Sequence, residues 1–294
     1  MTFNEDAKLD PSRVRRRRRT GTGVAVGGGT VLVLFLLSQL LGVDLTGLAT
    51  GDDGGAPVGE TDTGLEHCTT GAAANDDVEC RMVGAYNSLD DYWADAYPQI
   101  SGGAYASPGM ELFTDGTNTG CGQASSAVGP FYCPPDQGIY LDPTFFQLMT
   151  TQLGAQGGPL AELYVVAHEW GHHIQNLSGI MAQVDNTDTG PTSDAVRLEL
   201  QADCLAGAWA AGAVNTVDSD GVRFLEPFTP DQLASALDAA ASVGDDHIQT
   251  QQGGQAHPES WTHGSSEQRQ RWFTAGYDSG PNACDTFAVD GASL

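Results

Sequence analysis

The sequence predicts an α+β fold, mostly helical, with a small antiparallel sheet and one transmembrane helix in front of it. Three observations carry this reading. Apolar residues recur at helical spacing in several stretches, among them Val78 to Tyr97, Leu163 to Asn176 and Arg197 to Gly212. Short runs with strand character, Met110 to Phe113, Phe131-Tyr132 and Ile139 to Leu141, are set off by glycine and proline turns. Gly21 to Val43 is 23 residues without a charge, enough to cross a hydrocarbon core of about 30 Å at about 1.5 Å per residue.

The chain divides into residues 1–20, 21–43, 44–66 and 67–294. Residues 1–20 are basic, holding Lys8, Arg13 and Arg15 to Arg19. Such a run suits nucleic acid, but the rest of the chain does not. Only Arg81, Arg197, Arg223, Arg269 and Arg271 follow, and the formal charge is −26. An acidic surface of this kind repels nucleic acid and favours solubility. Placed before an apolar span, the arginines instead predict a cytoplasmic N-terminus and an exported C-terminal part. A cleaved signal peptide is the rival, with a shorter apolar region and an A-x-A site as its marks. The apolar stretch is long and no good A-x-A follows Leu41, so a retained anchor is the favoured expectation. Asp44 to Glu66, rich in Gly, Thr and Asp, reads as a flexible tether.

Six cysteines lie beyond the apolar stretch, and an even number in an exported region suggests disulfides. Sequence neighbours give Cys68–Cys80 and Cys121–Cys133, leaving Cys204–Cys284. Val83, Tyr86, Leu89, Trp93 and Tyr97 make one helical face, with Pro98 as its stop. Cys121 to Asp142 reads as a hairpin or a pair of short strands turning at Pro134-Pro135-Asp136. It is either a sheet edge that receives an extended peptide or a structural hairpin. Pro143 opens a helix through about Leu153.

The next helix carries His168-Glu169-Trp170-Gly171-His172, an H-E-x-x-H. Residues four apart share a helical face, so His168 and His172 can offer both imidazoles to one metal ion. Glu169 is offset by about 100° of turn, which places its carboxylate beside the metal as a base for water. Gly171 is unfavourable inside a helix, so a close approach by another backbone or a substrate is expected there. His173 faces away and is not expected to be a ligand. After a polar loop comes Glu199-Leu200-Gln201-Ala202-Asp203, again four apart on an apolar helix. Two His, one Glu and an open position make a catalytic zinc site. Asp203 can then hold the far nitrogen of a ligand imidazole, His168 first, fixing its tautomer. Asp185, Asp188 and Asp194 lack calcium-loop spacing and read as solvated acids. Thr229-Pro230 starts a further helix, to about Val243, and Ser265 or Ser266 caps a last one containing Arg269, Trp272 and Phe273.

HEWGHHIQN, ELQADCLAGAWA, CGQASSAVGPFYCPPDQGIYLD and THGSSEQRQRWFTAGYDSG together resemble the bacterial neutral zinc metallopeptidases over about Val78 to Phe287. The resemblance implies a zincin-like domain of the gluzincin type, whose third ligand is a Glu on the following helix, here Glu199. It implies Zn²⁺ as cofactor and a peptide or protein as substrate, cleaved by an endopeptidase in which water is activated by the metal and Glu169 is the base. His263 lies in one of these blocks. It can donate a hydrogen bond to the oxyanion of the transition state or make a structural bond at a helix start; His257 and Tyr140 stand behind it. With the apolar stretch as anchor, the expected location is a bacterial cell membrane, single-pass, with the catalytic domain outside the cytoplasm. A zinc-containing binding or assembly module, or an amidase acting on cell-wall peptides, remains the alternative.

Overall fold

The computed structural model describes residues 2–17, 64–185, 187–251 and 254–294. About half of what it describes is helical, beside two small sheets, an α+β arrangement. The first strand, β1, is Val14–Arg17. A short helix α1, Gly71–Asp76, runs into the long helix α2, Val78–Ser101. Asp77 starts α2, its carboxylate accepting from the backbone N–H of Glu79 and Cys80. Pro98 does not stop this helix. It lies in the last turn, and Gly102, left-handed at φ 67°, ends it by donating to the Pro98 carbonyl.

Five strands follow: β2 Gly109–Phe113, β3 Gly116–Thr119, β4 Gly122–Ser125, β5 Phe131–Cys133 and β6 Gly138–Leu141. The main sheet runs β1-β2-β6-β5, while β3 and β4 form a separate antiparallel pair. The expectation of an antiparallel sheet is corrected here. Within the main sheet only β5–β6 is antiparallel, turning at Pro134–Asp136. β1–β2 and β2–β6 are parallel, in register Val14↔Met110 and Met110↔Ile139. Parallel neighbours need a crossover, and α1 with α2 lies in sequence between β1 and β2.

The described residues 2–17 belong to the folded domain, with Phe3, Ala7, Leu9 and Val14 in its core. The expected membrane span, Gly21 to Val43, lies outside the described residues. Among the described residues no helix is long and apolar enough to cross a membrane.

The helical side comprises α3 Phe145–Thr151, α4 Pro159–Leu177, α5 Asp194–Gly212, α6 Pro230–Ser242, α7 Asp245–Gln251 and α8 Ser266–Ser279. Capping boxes, Thr229 with Gln232 and Ser265 with Gln268, start α6 and α8. Trp93, Trp170 and Trp209, from α2, α4 and α5, are all among the largest fully buried side chains. Cys68–Cys80, Cys121–Cys133 and Cys204–Cys284 are disulfide-bonded. The last closes a loop of 80 residues and ties α5 to the C-terminal segment.

Candidate metal centre

Two helices build the centre. α4 packs across α5, and Gly171 lies at a close approach between them: a Cβ there would lie 2.8 Å from Ala202 Cα. No side chain fits that gap, so the glycine's helix penalty of about 1 kcal/mol is the counterpart of close packing. The contact brings the His168–His172 face of α4 against the Glu199–Asp203 face of α5.

His168 Nε2 lies 3.1 Å from Glu199 Oε2, and His172 Nε2 lies 3.4 Å from Glu199 Oε1. One donor atom from each of these three residues falls within 4.8 Å of the others. The other ring nitrogens are engaged. His168 Nδ1 donates to Asp203 Oδ1 at 2.8 Å. His172 Nδ1 donates to Gln175 Oε1 at 2.8 Å, and Gln175 Nε2 donates to the Leu198 carbonyl at 2.6 Å. Both imidazoles are thereby held with Nε2 toward Glu199, the tautomer a metal ligand needs. The donor set fits a divalent ion such as zinc. A second cluster, His67 with Cys68 and Cys80, offers no such set, because both cysteines are in a disulfide.

Electrostatics follow the same contacts. Burial opposes protonation of His168, but Asp203 and Glu199 outweigh it and hold its pKa at about 10. Burial likewise opposes a charge on His172, and Glu199 nevertheless raises its pKa. Glu199 is held well below the usual carboxylate range: burial favours its neutral form, and the two imidazoles win. Asp203 is fully buried yet kept low, burial being outweighed by Arg269 and His168. Arg269 Nε and Nη2 donate to its two oxygens at 2.8 and 3.0 Å, and Tyr164 Oη donates as well. Glu169 is the contrast. Burial raises its pKa, and the nearby imidazoles offset this only in part.

The centre opens into a cleft of about 500 Å³. Gly129 to Tyr132, leading into and along the outer strand β5, form one wall; Val243, Asp245, Ile248 and His263 form another. His263, partly exposed, is held by Asp245. One carboxylate oxygen accepts from the backbone N–H of Thr262, His263 and Gly264 at 2.8, 2.7 and 3.0 Å. The other lies 3.3 Å from His263 Nδ1. Burial works against a charge on His263, but Asp245 and Glu199 raise its pKa. His257 is exposed beside Glu259, and Tyr140 donates to Asp136; neither lines the cleft.

His173 is fully buried and joins the helix to the sheet side rather than to the centre. Its Nε2 donates to the Ala106 carbonyl at 2.7 Å, so Nδ1 accepts from Tyr132 Oη at 3.0 Å. Sequence reasoning missed Gln175, Arg269 and Asp245 as site residues. Gln175 had a signal, three residues after His172 and therefore on its face. Arg269, polar within the apolar stretch around Trp272 and Phe273, was a weaker one.

Two imidazoles and a carboxylate from adjacent helices, with a further buried glutamate beside them at the head of a cleft, form a group that could hold one divalent ion. The chain belongs to the family described as putative neutral zinc metallopeptidase, whose model matches residues 6–287. It is 52% identical over 228 residues to "Uncharacterized protein Rv2575" of Mycobacterium tuberculosis (strain ATCC 25618 / H37Rv), covering 76% of each chain. It is 38% identical over 268 residues to "Uncharacterized protein YpfJ" of Escherichia coli (strain K12), covering 89% of this chain and 86% of that one. No solved structure matches.

Proposed function

We propose that the chain is a zinc-dependent endopeptidase that hydrolyses peptide bonds of a peptide or protein. The observation that carries this is the paired restraint of His168 and His172. Each Nδ1 is tied down, each Nε2 faces Glu199, and Glu169 is buried alongside without acting as a fourth member of that set. Zinc held by His168, His172 and Glu199 supplies a Lewis acid that polarises a carbonyl and makes water a nucleophile near neutral pH.

The remaining steps belong to the chain's own side chains. Glu169 takes the proton of the attacking water and passes it to the departing amine nitrogen. A buried carboxyl with raised pKa suits that exchange better than a solvated one. Asp203 and Gln175 keep the two imidazoles in place. Asp245 beside Nδ1 favours the protonated form of His263, and the imidazolium can donate from Nε2 to the carbonyl oxygen as negative charge develops there. Tyr132 does not compete for this role, because its hydroxyl donates to His173 and accepts from Asn176 Nδ2 at 2.8 Å. The free edge of β5 suits an extended substrate backbone, which pairs through its amides. Phe131, Phe145, Val165 and Leu198 line the same cleft and favour apolar side chains near the scissile bond. The three disulfides support an oxidising compartment outside the cytoplasm.

The test is bound-metal analysis and cleavage of a diverse peptide mixture by wild type and Glu169→Gln. Zinc near one per chain in both, with cleavage by wild type alone, is the expected result. Cleavage at the wild-type rate by metal-loaded Glu169→Gln would remove Glu169 from its role. Well-folded protein that takes up no zinc would remove the reading itself.

A further inference from the structure

We infer that residues 2–17 form a permanent edge of the metal-binding domain and therefore lie on the same side of any membrane as His168, His172 and Glu199. The sequence alone reads these residues as a cytoplasmic leader. Their contacts place them otherwise.

Phe3 is 1% exposed, and its ring fills the space at Gly84, where a Cβ would come within 2.4 Å of it. A Cβ on Gly71 would lie 1.8 Å from the Asn4 carbonyl oxygen. Two helical glycines thus leave room for this arm and for nothing larger on the helix. The backbone is tied as closely. Thr2 and Phe3 N–H both donate to Asn75 Oδ1 at 3.0 Å, and Asn75 Nδ2 returns a bond to the Phe3 carbonyl at 2.9 Å. β1 covers the side of β2 that would otherwise be an open sheet edge, a surface prone to wrong pairing.

Charge points the same way. Lys8 pairs with Asp220, Arg13 with Asp90, Arg16 with Glu79 and Arg17 with Glu111. The exposed Lys8 and Arg13 pairs contribute little singly, but together with the more buried Arg16 and Arg17 pairs they set the arm in one register on an acidic body. The arm's arginines therefore have a structural use besides any positive-inside signal.

Connectivity supplies the consequence. A Cβ on Gly64 would stand 3.4 Å from Arg16 Cδ, so the chain leaves the described domain and rejoins it at one place. Residues 18–63 contain a single apolar stretch of spanning length, Gly21 to Val43. One crossing would put the arm and the domain on opposite faces and empty the Phe3 site. Two crossings need about 40 apolar residues, which this segment lacks. A single crossing between residue 17 and residue 64 is therefore incompatible with the arm's place in the domain.

The experiment uses the full chain in membranes from cells that produce it. Lys8 and Thr70 are antiparallel bridge partners, and such neighbours, with Cα atoms about 4.5–5.5 Å apart, are within disulfide range. Lys8→Cys and Thr70→Cys are combined with a specific protease site placed within residues 44–63. After cleavage, the two fragments are expected to stay linked on a non-reducing gel and to separate on reduction. In separate chains, Ser12→Cys and Thr274→Cys, both exposed positions, are expected to react with a membrane-impermeant maleimide from the same face. Absence of linked fragments overturns the inference. So does labelling of Ser12→Cys only from the face opposite Thr274→Cys.

Discussion

Replacing Arg269 with methionine removes the buried cation that holds Asp203 ionised. Arg269 is 3% exposed and Asp203 is 0% exposed, with two guanidinium–carboxylate bonds at 2.8 and 3.0 Å between them. Breaking one side of such a pair costs up to about 3–5 kcal/mol, the lower part of that range being expected here because His168 and Tyr164 still donate to Asp203 when the guanidinium is gone. Replacing both sides with apolar residues costs less, since neither charge then remains. Arg269→Met and Asp203→Leu are each expected to destabilise the metal-free protein by about that amount, and the double variant by clearly less than their sum. The sign with pH follows from Asp203. Its folded pKa is depressed, so the stability it contributes is present above its unfolded value and lost as pH falls through the folded one. Arg269→Met removes the foremost charge that holds that pKa down, so its stability deficit is expected to be larger at pH 6, above the ordinary carboxylate value of 3.8, than at pH 3. Urea denaturation with the disulfides intact measures both effects. Additivity of the two single variants within about 0.5 kcal/mol, or a deficit that does not vary with pH, would refute the account of a coupled buried pair.

Four further outcomes are expected. Glu169→Gln keeps zinc and loses about 10²–10⁴-fold in kcat, measured on the best peptide found for wild type; a smaller loss points to a different base. Asp245→Asn lowers kcat with zinc content unchanged, because His263 loses the negative charge that favours its protonated, donating form; an effect on KM alone would make Asp245 a binding residue. Zinc uptake by the metal-free chain releases protons at pH 7, since His168, its pKa at about 10, is protonated there while a ligand imidazole must be neutral, and the upward shift of His172 acts in the same direction. Apparent affinity then rises from pH 6 to pH 8, and calorimetry in buffers of different ionisation enthalpy gives the proton count. Gly276→Ala melts well below wild type, because its Cβ would lie 1.8 Å from the Cys204 carbonyl oxygen and must push α5 and α8 apart; an unchanged melting temperature would contradict that contact.

The parts of the centre that sequence reveals are those written at helical spacing. His168 with His172, and Glu199 with Asp203, are four apart on apolar helices, so their shared faces are legible in the residue spacing alone. The partners that come from elsewhere in the chain are not. Asp245 acts through a turn formed 18 residues away at His263, and Arg269 reaches Asp203 from 66 residues on. β1 was hidden for a different reason. Its inward positions are Val14 and Arg16, with Arg15 outward, so the period of two is masked by a charge at a buried site. Arg16 is tolerated there because Glu79, from α2, meets it with both carboxylate oxygens. A run of arginines followed by an apolar stretch then suggests a membrane signal more strongly than a strand.

The glycines show how the two kinds of information meet. Gly171, on α4, and Gly276, on α8, are each unfavourable for the helix that contains them, and each marks a face where α5 comes within backbone distance. Gly171 meets Ala202 and Gly276 meets Cys204, so α5 is gripped from both sides within one turn of Asp203. The Cys204–Cys284 disulfide fixes the same turn to the C-terminal segment. A carboxylate that must aim at two imidazoles tolerates little drift, and Glu199 is one turn from this grip. The rigidity therefore sits where the donor geometry needs it. Widening the α5–α8 contact at Gly276 is then expected to loosen zinc as well as to lower the melting temperature, whereas a cavity made far from α5, such as Phe146→Ala on α3, is expected to lower stability alone.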